Sequence, residues 1–384
     1  MTLPLPTDDE ASLNLLIDAA RTDGHSVTDI AALARHLAAS GIQLAWPSVA
    51  TADIASTGGP GSLSTLLGPL MLVAGGLSVV KLAVPGRPAG AIDAMGTVPG
   101  YRTQLTADDV KGVVATCGFA HFLADQRFAP LDARLFALRK RVGAVALPML
   151  VVASLLSKKL AVGITRVGLD VRVGAHGNLG VTRDLARDNA RLFCAVAEAL
   201  GIEAVAFLSA PDELPQPWIG RGESLVALAS AVGLRPIQDS WLQGHVNDCA
   251  RMAAAFSTQL DSVGEVLERH LVGQGSSKLQ FLQRVDEVRG ANRTPIYSQR
   301  TGILEVELAR VRDVIVEIQA DEGHVFRDPA GVQFVARPGH AVSRGDVLAL
   351  ARGLDADRLA AIASAFAVTE GSPRHSSAME IVNA

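Results

Sequence analysis

From residue 12 to residue 38 apolar positions recur at helical spacing, with a break at Asp23-Gly24, which predicts two helices joined by a short turn. Between Ala52 and Ala83 the texture changes. A short apolar approach meets Ser56-Thr57-Gly58-Gly59-Pro60-Gly61, an apolar helical run follows, and Gly75-Gly76 leads into a strand-like segment ending at Ala83. Strand, glycine loop, helix, strand is the order of a βαβ unit with its loop at the helix N-terminus. Residues 110–115 and 117–123 predict a helix and a strand, and Leu131 to Leu160 a helical block. Gly168–Val173, 182–200 and Glu203–Leu208 then read as strand, helix and strand, while 222–234 and 244–272 keep helical spacing. Past Thr294, alternation predicts strands at Gly302–Leu308, Val314–Ile318, Val332–Val335 and Asp346–Leu350, with the last ten or so residues frayed.

The pattern predicts an α/β protein with a compact C-terminal α+β lobe from 294–384. With 49% hydrophobic and 19% charged residues among 384, the chain suits a packed protein and not a disordered one. Aromatic residues are only 4%, so Ala, Leu and Val must fill the core. A formal net charge of -4 without a basic block argues against nucleic-acid binding. Cys117, Cys194 and Cys249 are far apart and lack zinc-site spacing. Their odd number, and a start without a basic export signal, predict reduced thiols in a cytoplasm. The most apolar stretches, Leu66–Leu82 and Val142–Leu156, are broken by Gly, Pro or Ser, which predicts buried elements and no membrane span.

Two segments carry candidate chemistry. In the first, Ser56 through Thr65, glycines let backbone N–H groups approach a ligand at a helix start, and several hydroxyls add donors suited to phosphate oxygens. It is neither a Walker loop nor a dinucleotide fingerprint, and a Gly/Ser turn that only caps a helix has the same appearance. The second runs through Phe136-Ala-Leu-Arg139, Leu147-Pro148 and Ala153-Ser154-Leu-Leu-Ser157-Lys158-Lys159. Ser154 and Lys158 are four residues apart and share a helix face. With the forked donors of Arg139 they suit the carbonyls of a planar polar base, although a solvated helix end would also show this spacing. No His/Asp/Glu grouping has metal-ligand spacing, so no metal is expected. His176, at a strand end, is a weak candidate for the cleft, and His121 reads as a satisfied core residue.

Together these segments resemble the thymidine/pyrimidine-nucleoside phosphorylase family. Ile54-Ala55-Ser56-Thr57-Gly58-Gly59-Pro60-Gly61-Ser62 is similar to the family loop Lys-His-Ser-Thr-Gly-Gly-Val-Gly-Asp. Phe136 to Lys140 resembles Tyr-Ala-x-Arg-Asp, and Ala153 to Lys159 resembles Ala-Ser-Ile-Leu-x-Lys-Lys. Ile92-Asp93, Val98-Pro99-Gly100, Ala129-Pro130-Leu131-Asp132 and Asp170 to Gly174 follow in the family order. The resemblance implies a mixed-sheet α/β domain (49–128 and 163–293) that binds phosphate and a small discontinuous α-helical domain (1–48 and 129–162) that binds the base. It also implies a pentosyltransferase that cleaves a pyrimidine nucleoside reversibly with phosphate as co-substrate. It implies no organic cofactor, a structural monovalent cation held by backbone oxygens, and a homodimer serving nucleoside salvage. Arg139, Ser154 and Lys158 then match the base-binding and catalytic set, with Phe136 in place of the sugar-side Tyr. Ser56, Thr57, Gly58, Gly59, Ser64, Lys81 and Arg87 fall to the phosphate side. Departures gather there: Ile54 and Ala55 replace the loop's Lys and His, and Lys81 and Ala91 replace a phosphate-binding Ser and Thr. Lys81 and Arg87 are expected to restore positive charge. The related anthranilate phosphoribosyltransferase fold is the alternative, ranked lower because no Asp-Glu magnesium pair stands out.

Overall fold

The computed structural model describes residues 3–22, 24–61, 63–85, 90–125, 127–257, 262–319, 325–373 and 378–384. Helices α1 (Glu10–Ala19) and α2 (Val27–Ala38) open the chain; Asp9 caps the first, and Ser26 with Asp29 closes a capping box on the second. The expected βαβ unit follows as β1 (Thr51–Ser56), α3 (Ser64–Ala74) and β2 (Ser78–Ala83). Next come α4 (Ala91–Met95), α5 (Ala107–Cys117) and β3 (Phe119–Leu123). The helical block is two helices, α6 (Pro130–Arg141) and α7 (Pro148–Ala161), each begun by a proline whose missing N–H costs nothing at that position.

Then β4 (Arg166–Val171), α8 (Arg183–Ala199) and β5 (Glu203–Leu208) complete the principal sheet's interior. Among the described residues it has six strands in the order β13-β5-β4-β1-β2-β3, where β13 (Glu380–Val382) is the last strand of the chain. All neighbours are parallel except β13, which runs antiparallel to β5. The expectation of a frayed end therefore fails at Glu380–Val382, which pair with β5. Glu380 accepts from Arg183 and Arg187, an anchor that turn-forming residues upstream conceal.

Sequence order runs outward from β1 in one direction and from β4 in the other. This places a topological switch between β1 and β4, the position at which ligands bind beyond the carboxyl ends of strands. One buried cluster fills the side of this sheet facing α2, α7 and α8, and a second fills the side facing α3.

The rest of the chain comprises β6 (Trp218–Ile219), α9 (Arg221–Ala231), α10 (Ser240–Ala254), α11 (Val263–Gly273) and α12 (Lys278–Gly290). The single helical stretch expected over 244–272 is thus two helices, with α11 restarting at its own cap, Ser262. The lobe contains β7 (Arg293–Tyr297), β8 (Gly302–Val306), α13 (Leu308–Ile318), β9 (Gly331–Phe334), β10 (Ala341–Val342), β11 (Val347–Arg352), α14 (Ala356–Ala363) and β12 (Phe366–Thr369). The strand expected at Val314–Ile318 is the end of helix α13. Leu308, Val311 and Ile315 are buried at helical spacing, so local alternation yielded to tertiary packing. Two strands cross the expected lobe boundary: β6 joins the β6-β9-β11-β7 sheet, and β13 leaves for the principal one. Glu223 of α9, fully buried, accepts from Arg352 at 2.7 and 2.8 Å and from Arg293 at 3.1 Å, docking the lobe.

Candidate functional site

A cleft with about 150 Å³ of free space, partly open to solvent, lies at the carboxyl ends of β1 and β2, with Asn178 reaching it from the loop after β4. One wall comes from α6 and α7, and the opposite side from the glycine loop after β1, the end of β2 and the start of α4. Of the expected site residues, Ser56, Gly58, Gly59, Lys81, Phe136, Arg139, Ser154 and Lys158 all line it. Two segments some eighty residues apart in the chain thus meet around one space.

On the helical wall, Lys158 donates to Ser154 Oγ at 2.9 Å and to Asp132 Oδ2 at 2.5 Å. Asp132 is buried on α6, so it fixes the angle between the two helices and supplies the countercharge. Burial pushes the Lys158 ammonium below its ordinary value, and Asp132 offsets only part of that effect. Arg139, 1% exposed, donates to the carbonyls of Ala144 (3.1 Å), Val145 (2.6 Å) and Leu150 (3.2 Å). It holds the α6–α7 connection as well as lining the cleft. Burial lowers its value to about 10, still well above neutrality. Phe136 faces the space as an apolar ring with Lys140 one turn on, its ammonium 5.1 Å from the ring centre.

The strand wall is unlike the family pattern in its details. In β1 successive side chains alternate between faces. Asp53 points towards α7 and bonds Lys159, whereas Ile54 points into the core between α3 and β4. A Cβ on Gly68 of α3 would lie 2.6 Å from Ile54 Cδ1, so the residue in the position of the family's Lys is packed away from the cleft. Ala55, in place of the His, does line it. Lys81 donates to Asp53 Oδ1 at 2.7 Å and to the carbonyl of Ile54 at 2.6 Å. Lys159 donates to the other oxygen of the same carboxylate. Burial, with Lys159 nearby, lowers Lys81 to about 8 although Asp53 pulls the other way. Burial opposes the ionised form of Asp53, yet Lys159 and Lys81 outweigh it and hold the carboxyl below its ordinary value.

The glycine loop bends through left-handed backbone at Gly58 (φ 108°) and Gly59 (φ 100°), which glycine adopts without strain. Thr57 lies behind it, accepting from the Arg172 N–H at 2.8 Å, and Ser64 donates to Asp170 and accepts from Arg172. Neither lines the cleft, although both were expected on the phosphate side. Arg87 falls outside the described residues. His176 lies in a neighbouring crevice beside Asp212 and Glu213, where burial and the nearby Arg172 and Arg312 lower it to about 4. His121 is buried in the core with Tyr101 Oη 3.2 Å from its Nδ1, but its Nε2 has no hydrogen-bond partner, so it is only half satisfied. Asp212 and Glu213 are adjacent carboxylates just beyond β5, so an Asp-Glu pair does exist. Glu213 is paired with Arg337, and both carboxylates line the neighbouring crevice and not the cleft. Among the described residues no His, Cys, Asp and Glu grouping of three or more is placed to hold a metal ion.

Sequence reasoning passed over Asp53, Asp132, Lys159 and Asn178. Asp132 and Lys159 sit inside matched motifs. Nothing local marks Asp53, whose role appears only when β1 meets β2 and α7.

No protein-family model matches the chain. It is 28% identical over 285 residues to human thymidine phosphorylase, covering 69% of this chain and 59% of that protein. It is 30% identical over 218 residues to the thymidine phosphorylase of Burkholderia cenocepacia, covering 56% of this chain and 46% of that one. The chain therefore spans about half the length of the curated relatives it matches. Among solved structures it is similar to the anthranilate phosphoribosyltransferase of Thermus thermophilus. That likeness has a TM-score of 0.52 at 17% identity over 73% of this chain and 91% of that one, and it shows the fold. No helix among the described residues is long and apolar enough to cross a membrane.

Proposed function

We propose, for a chain that is a divergent relative of thymidine phosphorylases, that it is a pentosyltransferase catalysing reversible phosphorolysis of a pyrimidine nucleoside to free base and sugar 1-phosphate. The observation that carries this reading is the meeting of Arg139, Ser154, Lys158 and Phe136 with the Gly58-Gly59 loop and Lys81 across one cleft. In the proposed reaction the sugar C1′ lies between two groups of donors. On one side Ser154, Lys158 and Arg139 hold the ring carbonyls and stabilise negative charge growing on the departing base, where fixed donors act best. On the other, Lys81 and the loop hold phosphate in line for attack, which converts an encounter of two reactants into reaction within one complex. Ala55 offers no proton donor, so in this reading the base leaves as an anion neutralised by the Lys158 and Arg139 charges. A homodimer and a division into helical and α/β domains that close on the substrate belong to the same reading.

The test is to incubate the protein with thymidine, uridine and deoxyuridine, with and without phosphate, and to follow free base. Release that depends on phosphate supports phosphorolysis, and release without it indicates a hydrolase. No release together with tight uracil binding would indicate a pyrimidine-binding protein without turnover.

Two observations favour a second reading. The Asp212-Glu213 pair and the fold likeness suit phosphoribosyl transfer, in which the carboxylates would serve a magnesium-bound diphosphate. Consumption of a 5-phosphoribosyl diphosphate donor with magnesium, and no phosphate-dependent base release, would replace the first reading with this one.

A further inference from the structure

Among the described residues three lysines and one arginine line the cleft, and Asp53 and Asp132 are the carboxylates bonded to the lysines. The charges are not shared evenly. Asp132 serves Lys158 alone, whereas Asp53 divides its two oxygens between Lys81 and Lys159. Asp53 is fully buried, and both ammoniums are nearly so. Two ammoniums on one carboxylate leave one positive charge in excess at the end of β2. Burying such a charge without a partner is costly, so a structure that keeps it is built for a partner that arrives from outside. Lys81 has a carbonyl and one carboxylate oxygen as acceptors, which uses two of its three donors.

We propose that Asp53 is a positioning residue that holds Lys81 and Lys159 side by side as an oxyanion subsite, with Lys81 standing in for a loop lysine that this chain lacks. The proposal rests on the cleft being the reaction site and goes beyond it in assigning the anion's countercharge. It also accounts for Ile54. With the cation delivered from β2, the β1 position is released to pack against α3, and its side chain is apolar.

The groups that set the charge of Lys81 are Asp53 from β1 and Lys159 from α7, and His121 faces it from β3. Burial, Lys81, His270 and Lys159 hold His121 well below its ordinary value, so it is neutral. The site is then cationic at neutral pH and loses its excess charge as Lys81 deprotonates near pH 8. Removing the Asp53 charge lowers Lys81 further, because the carboxylate is what opposes burial.

Calorimetric titration with sodium sulfate, an anion of constant charge, tests this on the full-length protein between about pH 6.5 and about pH 9.5. The expected wild-type affinity falls about tenfold or more across that range. In Asp53→Asn the fall moves to lower pH by about one unit or more. Lys81→Arg should bind sulfate with a flat pH profile, since a guanidinium does not titrate there. It retains a cation for Asp53, so it answers the question even if Asp53→Asn does not fold. A wild-type affinity independent of pH, no sulfate binding in the wild type, or a Lys81→Arg profile that still falls would each overturn the proposal. Uracil titrated in parallel reports the helical wall alone. If sulfate behaves as expected while uracil and nucleosides fail to bind, the pyrimidine reading falls and the anion subsite stands.

Discussion

Lys158 of α7 and Asp132 of α6 are joined by a 2.5 Å contact between Nζ and Oδ2, and the same ammonium donates to Ser154 one turn earlier at 2.9 Å. The pair is at once the hinge between two helices and one jaw of the cleft. The second oxygen of the carboxylate, Asp132 Oδ1, is buried without a hydrogen-bond partner, so the ion pair with Lys158 is what holds this side chain.

Breaking such a pair from one side leaves an uncompensated buried charge, which costs about 3–5 kcal/mol. Asp132→Asn should therefore lower stability by that order in urea denaturation and weaken uracil binding as pH rises. The second effect follows because Lys158, already lowered by burial, loses the carboxylate that opposes the shift. A loss below about 1 kcal/mol would show that the pair is solvated in solution.

Arg139 bonds three carbonyls, at residues 144, 145 and 150. A lysine at this position presents one point charge where the guanidinium presents a fork. Arg139→Lys is expected to cost about 2 kcal/mol through buried carbonyls left unpaired, and to weaken base binding by tenfold or so. Thermal unfolding and uracil titration read the two effects separately. A stability loss with unchanged base affinity would confine Arg139 to a structural role.

Gly59 has φ 100°, and a Cβ there would meet Arg172 Cγ and His176 Cδ2 at an ordinary 3.5 Å. The cost of Gly59→Ala thus lies in backbone strain and not in a clash, about 1–3 kcal/mol. The loop should relax away from its cleft-facing shape, so sulfate affinity should drop by more than overall stability suggests. Equal sulfate binding in Gly59→Ala and wild type would remove the loop from the anion subsite.

Glu380 ties β13 to the edge of the principal sheet through Arg187 and Arg183. These hydrogen bonds hold its carboxyl down at about 2, with burial opposing. A carboxyl lowered on folding stabilises the fold above the ordinary Glu range, and that contribution is lost as pH falls from there towards 2. The pair is partly solvated, so the effect is about 1 kcal/mol. Glu380→Gln should reproduce this loss at neutral pH and flatten the dependence of stability between about pH 5 and about pH 3. Hydrogen exchange at Ile381 and Val382 would locate it in β13.

The βαβ unit, the prolines that start α6 and α7, and the neighbourhood of Arg139, Ser154 and Lys158 were all legible in the sequence. Each depends on spacing within an element or between elements adjacent in the chain, and spacing is what a sequence displays. The motif resemblance likewise placed Gly58, Gly59 and Lys81 near those residues before any fold was known. What the chain conceals depends on long-range packing. Val314–Ile318 alternates like a strand but is helical because α13 buries Leu308, Val311 and Ile315 together. The closing residues look frayed but become β13 because β5 offers an unpaired edge and two arginines.

The residue types of the cleft, and the two segments that supply them, are written along the chain. Their pairing comes from packing alone. Ile54 is turned into the core, Ser64 and Thr57 are drawn to Asp170 and Arg172, and Asp53 is shared between Lys81 and Lys159. A charge in a sequence has no partner until burial assigns one, and here that assignment lets burial lower Lys81 although Asp53 opposes it.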